Sequence, residues 1–303
     1  MTRPVPAIVE CVPNFSEGRR REVVDKIVFS IRSVPGIKIL DTEMDPDHNR
    51  SVVTFTGGKE NVQEAAFRGA RAAMELIDLN KHKGQHPRMG ALDVLPFVPI
   101  SGVTLDDCVD IANKVGARIA KELKIPVYLY ESAAKRPDRA NLENVRRGEF
   151  EGLREAIKTD DTRYPDFGPR AVHPTAGAVA VGARMPLIAF NINLRTTDLG
   201  IAKAIAKSIR ASSGGFPKVK ALGFELSVRK MVQVSMNLTD YTVTGISTVF
   251  EAIEREVKAK GVEIAESELV GLVPLDAVCD VAKGLLKIPT FTSSQVLERR
   301  IWG

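Results

Sequence analysis

What the chain lacks narrows the field first. Of its 303 residues only three are cysteine and one is tryptophan. Cys11, Cys108 and Cys279 are far apart, odd in number and in no CxxC pair. They read as small core hydrophobes in a reducing cytoplasm. No uninterrupted apolar run approaches the ~20 residues that span a bilayer. The N-terminal MTRPVPAIVE has one arginine but no apolar stretch, so no signal peptide is expected. A Ser-His-Asp motif, a Walker loop and a GxGxxG fingerprint are also missing, which removes the commonest covalent and nucleotide-binding chemistries.

What is present describes a soluble globular protein. Hydrophobic residues make up 44% and charged residues 27% of a chain long enough for two domains. The net charge of +5 and pI near 9.1 invite a nucleic-acid partner. However, Lys and Arg alternate with Asp and Glu throughout and form no basic tail. An anionic small substrate drawn into a basic cleft is the more economical reading.

Taken in order, AIVECV (7–12) reads as a strand ended by Pro13-Asn14, with Ser16 placed to cap the next helix. Val23, Val24, Ile27, Val28, Ile31 and Val34 recur at helical spacing until Pro35-Gly36. Strands follow at 37–41 and 51–56, a long helix at about 60–78 and a buried strand in VLPFVPI. A helix at 105–123, with Thr104 and Asp107 as a capping box, and a strand at 127–130 extend that sheet. A charged, helix-prone stretch (133–161) covers it. After a Gly/Pro-rich segment at 164–184, the pattern returns: strand 185–194, helix 199–211, strands 219–226 and 231–238, helix 249–260, strand 262–272, and a last helix at 275–286. Both halves spell βαββαβ. The expectation is an α/β protein (an α+β sandwich) of two ferredoxin-like subdomains, 1–180 and 181–303, with the ligand in the crevice between them.

The stretch NKHKGQHPRMGALDVLPFVPI (80–100) is the site candidate. It sets His82, His86, Lys81, Lys83 and Arg88 on a Gly/Pro-broken loop at the mouth of a strand. His86 can relay protons; the plainer alternative is a loop histidine capping a carbonyl. His82 and His86 have zinc spacing, but Gly84 interrupts any helix and no third ligand is evident, so a solvated His82 and no metal are expected. Asp41 and Glu43 follow a strand and could orient an imidazole; a solvated turn is the alternative. Arg50, Arg88, Arg170 and Arg184 suit carboxylates, with surface ion pairs as the common alternative. Asn49 ends the same loop as Arg50, and His48 and His173 stay open in role.

Six ordered segments carry a family resemblance: VECVPNFSEG (9–18), HPRMGALDVLPFVP (86–99), PVYLY (126–130), PDFGP (165–169), GAR..LIAFNINL (182–194) and LVGLVPL (269–275). Together they resemble glutamate formiminotransferase, in its free-standing form without a cyclodeaminase domain. The resemblance implies transfer of the formimino group of N-formimino-L-glutamate to N5 of tetrahydrofolate in histidine breakdown. It further implies two α/β subdomains with a folate tunnel between them, and a homodimer. Tetrahydrofolate would be a co-substrate. The family's catalytic histidine maps to His86, and its nearby aspartate aligns with Glu43. Its folate segment maps to Gly168, Pro169, Arg170, Ala171, Val172, His173, Pro174, Thr175, Ala176 and Gly177, where Ala176 replaces an aromatic residue. Asn14, Asn191 and Asn193, in or beside strands, could then read the pterin edge, or cap buried backbone instead.

Two rival readings remain at this level. A related folate transferase, using a formyl group or formiminoglycine, would share His86. An RNA-binding protein would share βαββαβ and a basic pI, but SVVTFT offers only Phe55 where RNA-recognition strands present several aromatics. No nucleic-acid or membrane partner is expected.

Overall fold

The computed structural model describes residues 6–302. The N-terminal reading above rests partly on residues 1–5, outside the described part. The chain divides after Arg184 into two compact units.

In the first unit, β1 (Ile8–Cys11) and β2 (Asn14–Phe15) are one strand interrupted at Val12-Pro13. Then follow α1 (Arg21–Arg32), β3 (Lys38–Asp45), β4 (Arg50–Gly57), α2 (Lys59–Leu76), β5 (Leu92–Ser101), α3 (Leu105–Leu123) and β6 (Val127–Glu131). Short α4 (Leu142–Val145), α5 (Glu149–Thr159) and β7 (Val179–Ala183) complete it. The seven strands run β3, β4, β1/β2, β5, β7, β6. The first four positions are antiparallel in the ferredoxin-like order; β7 and β6 add in parallel.

Helical spacing decides which face is covered. Val23, Val24, Ile27, Val28 and Ile31 of α1 are buried, as are Val62, Ala66, Phe67, Ala70 and Ala73 of α2. With α3 they enclose Val9, Cys11, Phe15, Val53, Phe55, Leu95 and Phe97 on one side of the sheet. The capping box of α3 forms as its sequence predicts: Thr104 Oγ1 accepts from Asp107 N at 3.1 Å, and Asp107 Oδ2 accepts from Thr104 N at 2.8 Å.

Three local expectations are corrected. Ser16 does not cap α1; Glu17 Oε1 accepts from the amides of Arg19 and Arg20 (both 2.9 Å), freeing Ser16 for another task. β3 does not stop at Asp41 but continues to Asp45, so Asp41 and Glu43 lie within the strand opposite Thr54 and Val52. Residue 180 falls inside β7, whose pairing with β5 and β6 carries the first unit to Arg184.

The second unit holds β8 (Ile188–Leu194), α6 (Leu199–Ile209), β9 (Val219–Leu226), β10 (Met231–Leu238), α7 (Ile246–Ala259), β11 (Ile264–Val270), α8 (Leu275–Leu286) and α9 (Leu297–Trp302). Its antiparallel sheet runs β11, β8, β10, β9, again the ferredoxin-like order. Ile188, Phe190, Ile192 and Leu194 pack on Ala202 and Ile205 of α6 and Val249 and Ile253 of α7. On the other face Asn191 and Asn193 donate to Glu268 (3.1 Å) and Glu266 (3.0 Å). Their amides thus bridge strands rather than cap backbone. Among the described residues, no helix is long and apolar enough to cross a membrane.

Candidate active site

The sheet face opposite α1, α2 and α3 is divided. Above β5, β7 and β6 it is apolar: Val94, Tyr128, Tyr130 and Ala180 pack against Val145, Leu153 and Ile157 of α4 and α5. Above β3, β4 and β1/β2, cross-strand register sets Asp41, Glu43, Arg50, Thr54, Asn14 and Glu10 on that same face. A row of charged and amide groups is thus carried on rigid strands.

The histidine loop between α2 and β5 meets this row and is held on every side. Ser16 Oγ donates to Gly90 O (2.7 Å), and Ser16 N donates to Ala91 O (2.9 Å). Ala91 N donates to Ala176 O, and Ala178 N to Met89 O, both at 2.9 Å. The histidine loop and the 168–177 segment are therefore zipped together. Asp93, 2% exposed at the start of β5, accepts from Met89 N at 2.7 Å.

His86 is half-buried beside Arg50, Arg146, Asp93 and His48. Its ring lies 6.4 Å from that of His48, edge to face. Burial, then Arg50 and Arg146, bring its pKa down from 6.5 to about 4, with Asp93 opposing. A proton relay at His86 would therefore start from the neutral base.

Among the described residues, no carboxylate hydrogen-bonds that ring. Asp41 and Glu43 lie side by side on β3 and act on one another. Burial, then Asp41, raise the Glu43 carboxyl, while Arg50 opposes the shift. Arg50 donates from Nε (3.0 Å) and Nη2 to Asn14 Oδ1 and forms no ion pair among the described residues. Burial, then Arg146, hold its guanidinium below the ordinary arginine value. Asn14 Nδ2 in turn donates to Val12 O at 2.9 Å, which aims its oxygen at Arg50.

Other expected site residues are engaged in holding the loops. Arg88, 9% exposed, is clamped by Glu151 (2.6 and 2.7 Å) and Glu149 (3.2 Å). Its Nε donates to His82 Nδ1 (3.2 Å), and His82 Nε2 pairs with Asn49 O (2.8 Å). His82 is therefore a fixed, neutral strut and not a solvated side chain. Asn49, in left-handed backbone (φ 50°), accepts from Gly18 N and donates to Lys83 O. Arg184 lies near Glu10 and Tyr130 and acts on both electrostatically.

The 168–177 segment is built in two parts. Gly168, Pro169, Arg170 and Ala171 are exposed, whereas Ala176 and Gly177 are buried. Ala176 faces the helix-covered core, so no larger side chain there would meet a ligand in this conformation. Arg170 donates to Ile157 O (2.9 Å) and Asp161 (2.6 Å), and His173 Nδ1 accepts from Ala176 N (3.0 Å). Thr175 O accepts from Leu79 N, and Pro174 O from Asn80 Nδ2, both at 2.9 Å. Val172 packs beneath α5.

Asp93 and Arg146 were not signalled as site residues. Their ion pair spans 53 positions, and only a buried aspartate opening an apolar strand hints at it.

A cavity of about 530 Å³ opens elsewhere on this unit, bounded by Glu17, Arg19, Arg20, Leu76, Asp78 and His82 among others. It does not reach His86. Its arginines are already satisfied, Arg20 by Glu17 and Arg19 by Pro46 O. The unpaired guanidinium and free imidazole favour the sheet face as the reactive site.

Family models match both units of the chain. Residues 8–184 match the formiminotransferase domain, N-terminal subdomain, and residues 189–293 match the formiminotransferase domain. A glutamate formimidoyltransferase of Streptococcus pyogenes serotype M1 is 48% identical over 98% of this chain and 99% of its own. One from Thermoplasma acidophilum is 50% identical, over 97% of both. A formimidoyltransferase-cyclodeaminase of Sus scrofa is 48% identical over 91% of this chain but 52% of its own length.

Proposed function

The chain belongs to the formiminotransferase family, and from that premise we propose which of its residues carry the reaction. It transfers the formimino group from N-formimino-L-glutamate to N5 of tetrahydrofolate, giving 5-formiminotetrahydrofolate and glutamate. Tetrahydrofolate is a co-substrate, and its own amine is the nucleophile.

N5 attacks the formimino carbon, so an N5–C bond forms and N5 must shed a proton. His86 takes it, and then delivers it to the glutamate nitrogen as the old C–N bond breaks. The observation that carries this assignment is a half-buried imidazole with no hydrogen bond among the described residues, placed beside a guanidinium that has no ion pair among them. A low pKa suits the first step, because the base form is fully populated at neutral pH. It suits the second as well, because the imidazolium then formed is a strong acid.

Arg50, oriented by Asn14, holds an anionic group of the substrates, and Arg184 is a further candidate. Glu43 and Asp41 line the site and tune its charge. The exposed 168–171 portion contacts folate, while Arg88, Asn49, His173, Ala176 and Gly177 hold the two loops in place. No step requires a metal. The same reading makes the chain a cytoplasmic homodimer, consistent with three buried free thiols and with exposed Leu285 and Leu286 on α8.

The test is a complex with a reduced-folate analogue. N5 within hydrogen-bond reach of His86 is expected, and N5 on a different face of the sheet would refute the assignment.

A further inference from the structure

One group near His86 is unexplained by the assignments above. Arg146 follows α4, and its amide donates to Leu142 O at 2.9 Å. Its side chain, 15% exposed, reaches Asp93 through Nη2. Its Nε is buried and has no hydrogen-bond partner. A buried donor on a cation is costly to leave unsatisfied, so its position asks for an acceptor that the protein itself does not provide.

The surrounding charges say what kind of acceptor. Arg146 lies near enough to Arg50 to lower its pKa, after burial, and both act on His86. Asp93 is the one carboxylate ion-paired with either guanidinium among the described residues. Asp93, Glu43 and Asp45 all act on Arg50, yet among the described residues its guanidinium bonds only the amide oxygen of Asn14, and Arg146 Nε has no partner. A carboxylate, with two acceptor oxygens, would satisfy both donors.

We propose that Arg146 and Arg50 form a two-guanidinium clamp for the α-carboxylate of the formimino donor, with Asp93 as the positioning residue. This rests on the transfer reading above. The α-carboxylate is separated from the departing nitrogen by a single carbon. A clamp beside His86 therefore presents that nitrogen to the imidazole, whereas the distal carboxylate lies too far along the chain to do both. Asp93 adds registry: one carboxylate accepts from Met89 N and from Arg146, tying clamp and base to the same anchor. Carboxylate binding also offsets part of the repulsion from the two guanidiniums, so the imidazole accepts the N5 proton more readily once the donor is in place.

Donor analogues test this. N-formimino-L-glutamate and formiminoglycine both carry the α-carboxylate; 4-(formimino)aminobutyrate keeps only the distal one. Arg146→Gln is expected to raise KM for the first two on the order of 30-fold, as loss of a charge-assisted contact does. It should leave KM for the third within about twofold on the same scale. The acid limb of kcat/KM should also move upward, because a cation facing His86 is gone while Arg50, Asp93 and His48 remain. Because Arg146→Gln strands Asp93, the double variant Asp93→Asn with Arg146→Gln is run beside it, and circular dichroism reports folding. Asp93→Asn alone should weaken α-carboxylate donors selectively and to a lesser extent. Equal losses for all three donors, or no loss, overturn the clamp. A wild-type protein inactive with every donor would overturn the transfer reading and the clamp with it.

Discussion

Gly90 and Gly177 face one another across a two-residue β-bridge, so close that a methyl group fits on neither. A Cβ on Gly90 would lie 1.9 Å from Ala178 O, and one on Gly177 would lie 2.2 Å from Met89 O. Gly177 also has φ +71°, a region that disfavours side chains. The loop bearing His86 and the segment assigned to folate are held in register by this contact. Gly90→Ala should destabilise the protein by about 1–3 kcal/mol or more, the cost of overpacking. Thermal unfolding measures the loss, and turnover should fall with it. A stable, fully active variant would show that the two loops need not touch.

The two histidines of the loop should separate cleanly. His82 joins Arg88 Nε and Asn49 O. Its replacement by Ala strands both partners and should cost about 1–3 kcal/mol of stability. At temperatures where the variant is folded, kcat should stay near wild type. A collapse of kcat with unchanged stability would move the chemistry from His86 to His82.

Protonation of His86 offers a second discriminant. Its pKa is depressed in the folded protein, from 6.5 to about 4. The unfolded chain therefore binds the extra proton between those values. Stability from keeping this ring neutral is present above about 6.5 and declines as pH falls toward about 4. Nitrogen-15 NMR should find the ring neutral at pH 6 in the ligand-free protein, and His86→Gln should flatten the acid loss of stability. A midpoint near 6.5 would mean that neither burial nor the guanidinium groups exert a hold on it.

Arg170 should affect binding more than chemistry. Its contact with Asp161 is exposed, so solvent screens it and little stability is at stake. Arg170→Ala loosens the exposed half of the 168–177 segment. Folate affinity should weaken about 2–5-fold with kcat unchanged, as titration calorimetry and steady-state kinetics would report. An effect confined to kcat would count against this assignment.

Much of the fold could be read from residue spacing. The valine and isoleucine period of α1 and the alanine stripe of α2 set which sheet face is covered, and both halves adopt the order their element patterns imply. β7 escaped because all five of its residues are buried, which removes any alternation, and because glycine-rich loop precedes it. In the site, His86 was visible through HPRMG and Arg50 through its charge. Ser16 was not, because its side chain bonds a residue 74 positions away in place of its own helix. Asp41 and Glu43 were named, but their place on the sheet face depends on a bulge at Leu40 that no local pattern reveals.

The central claim is that one neutral imidazole moves the proton between the incoming and departing nitrogens. The most direct measurement is kcat for His86→Ala, with tetrahydrofolate affinity determined on the same preparation. The account predicts a fall of about 10²–10⁴-fold in kcat with folate affinity nearly unchanged. Turnover close to wild type, with folate still bound, would contradict it.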